Sequence, residues 1–236
     1  MKIGSGDNSQ IDEFKKEVAM LDKFRSDYIV HFYGAVFILN KICMVTEFAP
    51  FGSLQDLMKH KKSEDVDMKI RVKICLDGAN GIEYLHTNGI LHRDIKPDNI
   101  LVFSLNLNEK VNAKLTDFGS AKNVNMMMTN MTFTNGIGTP KYMAPEVLNK
   151  EHYKKPADLF SFAITMLECL LWDNAYPKSI YLYPWTVADD VASGKRPTTI
   201  KTLDKNFQNV IEKCWKQETE KRCTINEAID ELKRLQ

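Results

Sequence analysis

The sequence predicts an α+β fold in which a small mixed lobe precedes a larger, mainly helical one. Three observations point there. Runs with strand character fall early, at residues 28–38 and 42–48. Helical periodicity fills most of the chain beyond residue 50, with short strands and loops only in the middle. The 236 residues, 44% of them hydrophobic, suffice for one domain or two intimately packed lobes around a sizeable core.

Each element has a local reason. After a polar start, the stripe Ile11, Phe14, Val18, Leu21 and Phe24 predicts a first helix, with Ser9 and Asp12 placed as a capping box. The two strand runs are joined by Leu39-Asn40-Lys41 as a hairpin turn. Pro50, Gly52 and Ser53 then break the chain and open a short helix that runs to His60. A long helix spans about residues 68–88 and is closed by Asn88-Gly89. From Ile90 to about Tyr142 the pattern gives short strands and loops, and the aperiodic crowd of Met, Thr and Asn at 125–135 predicts an exposed loop. Four further helices are expected at about 156–171, 185–193, 206–215 and 224–235.

Composition narrows the functional classes. Lys and Arg total 32 against 31 Asp and Glu, so no global field draws the chain to nucleic acid or a membrane surface. Cys43, Cys75, Cys169, Cys214 and Cys223 are scattered without a CxxC pair. That usage predicts reduced thiols in an intracellular setting, with neither a disulfide framework nor a zinc site. The first ten residues lack the apolar stretch of a signal peptide. The longest apolar run, residues 160–172, contains Glu168 and is far short of a membrane span, so a buried helix is expected. A soluble, cytoplasmic protein is the expectation from these readings.

The chemistry concentrates in His92-Arg93-Asp94-Ile95-Lys96-Pro97-Asp98-Asn99. Phosphoryl transfer from ATP asks for an aligned hydroxyl, held metal ions and neutralised charge rather than covalent help. A carboxylate can accept the hydroxyl proton, an amine can meet the phosphoryl oxygens, and an amide oxygen can bind a metal. Asp94, Lys96 and Asn99 supply those three groups within six residues. A second carboxylate, Asp117, comes after the strand-like runs 100–103 and 111–116. A hairpin between those runs would fold Asp117 back beside Asn99, where both could hold Mg²⁺.

With Asp117-Phe118-Gly119 and Ala144-Pro145-Glu146 following in order, the chain resembles the eukaryotic protein kinase superfamily. Residues 138–146 resemble that family's substrate-positioning segment, and residues 155–161 resemble the start of its buried central helix. Cys214-Trp215 and Arg222 resemble its C-terminal pattern. The resemblance implies a protein-kinase-like two-lobe fold, with ATP and Mg²⁺ as cofactors and Ser/Thr-bearing proteins as substrates. Asp94, Lys96, Asn99 and Asp117 would be catalytic, with Asn99 and Asp117 also binding metal. Glu17 matches the glutamate that salt-bridges the ATP lysine. Thr46 would be the gatekeeper, Glu47 and Ala49 would offer backbone groups to adenine, and Leu101 would floor the pocket. Asp158 and Arg222 would anchor loops, Arg222 as the buried partner of Glu146.

Lys96 and Thr139 resemble Ser/Thr-specific members, and residues 193–197 resemble the tyrosine-kinase-like group. The long hairpin between Asn99 and Asp117 resembles the Roco branch of that group. Arg93 matches the arginine that pairs with a phosphorylated activation loop, making Thr129, Thr132 and Thr134 candidate sites for an upstream kinase or for autophosphorylation.

The chain also departs from the family pattern. No glycine-rich loop or lysine strand precedes Glu17 at the family spacing: Gly4 and Gly6 lie too close to the first helix, and Lys2 is the only candidate lysine. The expectation is therefore one kinase domain over residues 1–236. Its small lobe, 1–49, is partial, and its large lobe, 50–236, is complete. Loss of the phosphate cradle would impair transfer by this chain. Two readings stay open: a Ser/Thr kinase whose sequence is truncated, and a pseudokinase acting as a scaffold or allosteric module. Phe160 and Ala163 stand where the family usually has Trp and Gly, and Cys223 stands where it usually has proline.

Overall fold

The structure, a computed structural model, describes Val18, Lys23 and residues 25–38, 41–117, 121–123 and 139–236. The expected first helix, apart from helical Val18, lies outside those residues, as do Leu39, Asn40 and the 125–135 segment.

Strands β1 (Phe32–Ile38) and β2 (Lys41–Thr46) form an antiparallel hairpin, with Phe32 opposite Thr46 and Ile38 opposite Lys41. Both are shorter than the sequence suggested. Residues 28–30 instead leave the hairpin and run beside β5 (Ala113–Leu115), where the Val30 N–H donates to the Leu115 carbonyl at 2.9 Å and the Leu115 N–H to the Tyr28 carbonyl at 2.9 Å. Helix α1 (Leu54–His60) starts at a capping box: the Asp56 N–H donates to Ser53 Oγ at 3.1 Å, and the Ser53 N–H to Asp56 Oδ2 at 3.3 Å. Helix α2 (Met68–Thr87) is buried on most of its circumference, as a helix in the middle of a core should be. A Cβ at its Gly81 would sit 2.9 Å from the Tyr28 carbonyl, so glycine is what lets residues 28–29 lie against it.

Two short antiparallel pairs come next, β3 (Ile90–Leu91) with β6 (Lys122–Asn123), and the hairpin of β4 (Ile100–Val102) with β5. Asp77 of α2 fixes the start of β5 by accepting the Asn112 and Ala113 N–H groups at 2.7 and 3.1 Å, while Lys73 pairs with the same carboxylate at 2.6 Å. The remaining helices are α3 (Pro145–Leu148), α4 (Lys155–Leu171), α5 (Pro184–Ala192), α6 (Lys205–Cys214) and α7 (Ile225–Leu235). Their bounds agree with the sequence expectation to within a residue for the four long ones, because proline, Asp204 and Thr224 mark their starts. Helix α4 is the centre of the helical part, and Phe160, Phe162, Ile164 and Met166 on it are fully buried. No described helix is long and apolar enough to cross a membrane.

Two buried ionic contacts tie distant segments to this core. Arg222 meets Glu146 with both terminal nitrogens, at 2.6 and 2.7 Å, and its side chain is 0% exposed against 9% for Glu146. The guanidinium also donates to the Lys216 carbonyl at 2.8 Å and the Pro156 carbonyl at 2.9 Å. Asp158, at the start of α4, accepts from the His92 N–H at 3.0 Å, the Arg93 N–H at 2.9 Å and the Tyr153 hydroxyl at 2.8 Å. The His86 ring stands 2.8 Å from the same carboxylate. Burial alone would raise the Asp158 carboxyl, but the His86 bond and the other donors outweigh it and hold it below the usual carboxylate value. Burial pushes the His92 ring the other way for a base, downward, against the pull of Asp158 and the Thr116 carbonyl.

Arg222→Met should leave Glu146 buried and unpaired and cost about 3–5 kcal/mol in denaturant unfolding, with part recovered in the Glu146→Gln/Arg222→Met double variant. A double-variant loss equal to the sum of the Arg222→Met and Glu146→Gln losses would show that the pair is not coupled. The two shifts also set a pH dependence. His92 resists protonation in the fold, so below about pH 6.5 the unfolded chain takes up a proton that the folded one refuses. Asp158 does the same further down, in the ordinary carboxylate range. Both make stability fall as pH falls. The thermal midpoint should therefore drop between pH 7 and pH 5.5, and His92→Gln should flatten that slope; parallel slopes for the two proteins would refute the assignment.

Candidate active site

The β4–β5 hairpin does what its sequence spacing suggested. The Thr116 N–H donates to the Asn99 carbonyl at 3.0 Å, which brings the chain carrying Asp117 back to Asn99. The 92–99 segment enters from the other side and ends in a single 3₁₀ turn, Pro97–Asn99, that turns the Asn99 side chain inward. Within it, Lys96 Nζ lies 2.6 Å from Asp94 Oδ2, and Asn99 Nδ2 donates to the Asp94 carbonyl at 2.7 Å and to Oδ2 at 3.1 Å. Thr139, 43 residues beyond Lys96, joins them: Lys96 Nζ donates to Thr139 Oγ1 at 3.2 Å, and that hydroxyl lies 3.4 Å from Asp94 Oδ1. Asp94 and Lys96 side chains are 13% and 20% exposed, sheltered yet open to a substrate.

His92 supports this loop from beneath. Its Nε2 is 2.9 Å from the Thr116 carbonyl, and its Nδ1 is 3.3 Å from the Asp94 N–H. A carbonyl needs a donor and an N–H needs an acceptor, so the neutral Nε2–H tautomer satisfies both, in keeping with its lowered pKa. Arg93 and Asp117 both have left-handed backbones, φ 72° and 61°. Such conformations cost non-glycine residues on the order of 1–3 kcal/mol and persist where surroundings hold them, at Arg93 through the Asp158 bonds to residues 92 and 93. Arg93 also has its Nε and Nη1 buried without a hydrogen-bond partner among the described residues, its guanidinium 5.6 Å from the Tyr153 ring centre.

The segment after Thr139 is tied to α4. Ser161 Oγ donates to the Tyr142 carbonyl at 2.8 Å, and the Tyr142 hydroxyl donates to Glu168 Oε2 at 2.7 Å. Lys141 pairs with Glu168 as well, and the Ala175 N–H donates to it at 2.8 Å. Burial and the Glu168 charge push the Tyr142 phenol well above its ordinary value, so it stays a donor.

The residues expected to meet adenine lie where β2 passes into α1. Thr46 ends β2, opposite Phe32, and is exposed. The Glu47 N–H donates to the His31 carbonyl at 3.0 Å, and its carboxylate accepts the His31 N–H at 2.6 Å. Both Glu47 oxygens also lie 2.8 Å from Lys114 Nζ on β5. Ala49 is buried and its carbonyl accepts the Gly52 N–H at 3.1 Å. Leu101 is half-buried on β4, opposite Lys114 and bridged to Ser53. Glu17, Thr129, Thr132 and Thr134 lie outside the described residues.

Sequence reasoning missed three supports. The Lys114–Glu47 pair carries no motif. The hydroxyl of Thr139 was read only for substrate class, not as a bridge between Lys96 and Asp94. Glu168 was noticed only as a break in an apolar run, although a carboxylate inside a buried helix is itself a signal that partners must converge on it.

A divalent cation fits the donor set. Asn99 commits its Nδ2 to Asp94, so Oδ1 is the atom a cation would meet, and Asp117 adds a carboxylate. Among the described residues no three His, Cys, Asp or Glu side chains converge to form a cage. Mg²⁺ commonly needs only one or two protein oxygens, the rest coming from phosphate and water.

Residues 2–232 match the family described as the protein kinase domain. The chain is 36% identical over 243 residues to a Dictyostelium discoideum protein named "Probable serine/threonine-protein kinase gdt9", covering 91% of this chain and 15% of that one. It is 35% identical over 224 residues to serine/threonine-protein kinase STY17 of Arabidopsis thaliana, covering 94% of this chain and 37% of that one. The chain thus spans well under two thirds of the length of these relatives. With the Asp94, Asn99 and Asp117 motifs folded together and the family matched over residues 2–232, the chain belongs to the protein kinase domain family.

Proposed function

We propose that this domain transfers the γ-phosphate of ATP to Ser and Thr hydroxyls of proteins, as a member of the tyrosine-kinase-like group working in the cytoplasm. The observation that carries the reading is the set of contacts joining Asp94, Lys96, Asn99 and Thr139. Asp94 Oδ1 accepts the proton of the incoming hydroxyl. Lys96, already aligned by Asp94 and Thr139, neutralises charge on the transferring group. Asn99 and Asp117 would hold Mg²⁺, which when bound supplies charge neutralisation at the phosphates. Thr46, the backbone of Glu47 and Ala49, and Leu101 receive adenine, and Glu17 belongs to the phosphate side. Residues 1–49 form the small-lobe part and 50–236 the large lobe.

Arg93 supports regulation by the same domain. Its Nε and Nη1 are buried with no hydrogen-bond partner among the described residues, a costly arrangement that an anion would relieve. Phosphorylation of Thr129, Thr132 or Thr134, by an upstream kinase or by the domain itself, supplies such an anion.

The test is phosphate transfer to Ser/Thr peptides by the chain, and by a version extended ahead of residue 1 with a glycine loop and lysine strand. Asp94→Asn should lower the rate about 10²–10⁴-fold, and chelation of the divalent cation should abolish it. MgATP binding without transfer in either form, with Asp94→Asn indistinguishable from the parent, would replace this reading by the scaffold one. A separate prediction concerns Thr139. Replacement by Ala should reduce kcat by about 10-fold or more with little change in KM for ATP, and Ser should restore it. Ser behaving like Ala would remove the hydroxyl bridge from the mechanism.

A further inference from the structure

Cys214 and Cys223, scattered in the sequence, meet in the fold. Cys214 ends α6 and is fully buried, while Cys223, standing where the kinase resemblance leads one to expect proline, is partly exposed just before α7. Their Sγ atoms are 3.3 Å apart across nine residues of chain. The backbone holds the pair together, since the Cys223 N–H donates to the Lys213 carbonyl at 3.1 Å. Proline could not make that bond. Cys223 also lines a cavity of about 180 Å³ with Val210, Lys213, Glu227, Ala228 and Glu231. That volume admits a small oxidant to its sulfur, and Cys214 lies directly behind.

We propose that Cys214 and Cys223 form a peroxide-sensitive dithiol that closes reversibly into a disulfide. Cys223 is the attacking sulfur. The contact between the two sulfurs lowers the Cys223 pKa and, together with burial, raises that of Cys214. The Cys223 thiolate attacks one oxygen of hydrogen peroxide: an S–O bond forms, the O–O bond breaks, and the departing hydroxide takes up the Cys223 proton as water. Cys214 then attacks the sulfenic sulfur: the S–S bond forms, the S–O bond breaks, and the second hydroxide leaves as water with the Cys214 proton. Two thiols are oxidised by two electrons and one peroxide is reduced to two waters.

Closure draws the sulfurs from 3.3 Å to about 2.05 Å. The ring it completes contains Lys216 and Gln217, whose carbonyls accept from Arg222 at 2.8 and 3.4 Å. The bond therefore sits on the segment that presents Arg222 to Glu146. Cys75 and Cys169 also touch each other but are buried in the core and do not line that cavity, and with Cys43, exposed and alone, they serve as internal comparisons.

The experiment treats the full chain, carrying Cys43→Ser to prevent cross-linking between molecules, with hydrogen peroxide, then blocks free thiols and digests with trypsin without reduction. Residues 214–216 should appear joined to residues 223–233, about 2 Da below the sum of the two thiol peptides. Dithiothreitol should separate them, Cys223→Ser should abolish the linked peptide, and Cys75 and Cys169 should remain blocked as thiols. Recovery of Cys214 and Cys223 both as blocked thiols, at peroxide levels that oxidise Cys43 in the parent chain, would overturn the proposal. So would Cys223 carried on to sulfinic acid with no linked peptide.

Discussion

Asp158 is 0% exposed, and a carboxylate stripped of water is tolerable only when donors replace the water. Four groups do so, from residues 86, 92, 93 and 153, and they belong to three separate segments. Two of the donors are consecutive backbone N–H groups, and the left-handed turn at Arg93 lets both point at one carboxylate. The strain of that turn and the burial of the charge are each unfavourable alone. Together they fix the direction in which the next residue, Asp94, leaves the loop. The position of the proposed catalytic group is thus set by a residue that never meets substrate.

Asp158 also links the two halves of the site, because it rides on α4. Three positions of this helix face the site's framework: Asp158 holds residues 92–93, Ser161 holds the Tyr142 carbonyl, and Glu168 holds the Tyr142 hydroxyl and Lys141. Ten residues of helix separate the first from the last, a rigid span of about 15 Å. Thr139 therefore arrives beside Lys96 because both flanking segments are clamped to one helix, not because the two are close in sequence. The family's usual Trp is Phe160 here, and its ring lies 4.9 and 5.2 Å from the Arg196 and Arg222 guanidiniums. An aromatic face is what those cations need, which is why Phe serves in that position.

This division of labour explains which features were legible in the sequence and which were not. The long helices were legible because burial imposes a 3.6-residue period and the caps are local chemistry. The return of Asp117 to Asn99 was legible because a hairpin is the shortest way to connect two strand-like runs. The Glu146–Arg222 pair was legible only through the family resemblance, since 76 residues separate its members. The overlong strand at 28–38 was misjudged because pattern alone cannot tell pairing with β2 from pairing with β5. The Lys114–Glu47 contact and the Cys214–Cys223 contact were not legible, because each depends on how two separate elements pack.

The Lys114–Glu47 contact matters more than its modest exposure suggests. Leu101 and Lys114 face each other across the β4–β5 ladder, and the same hairpin ends at Asn99 and Thr116. Lys114 pins the Glu47 side chain and His31 takes the Glu47 N–H, so the Glu47 carbonyl is the backbone group the proposed function would offer to a ligand. The proposed adenine contacts, the floor beneath them and the two side chains proposed to bind metal therefore belong to one hydrogen-bonded body. Lys114 thus ties Glu47 to β5, and the chain leaving β5 leads to Asp117 two residues on. In the proposed function, a nucleotide at Glu47 and a cation at Asn99 and Asp117 would share the framework of that hairpin.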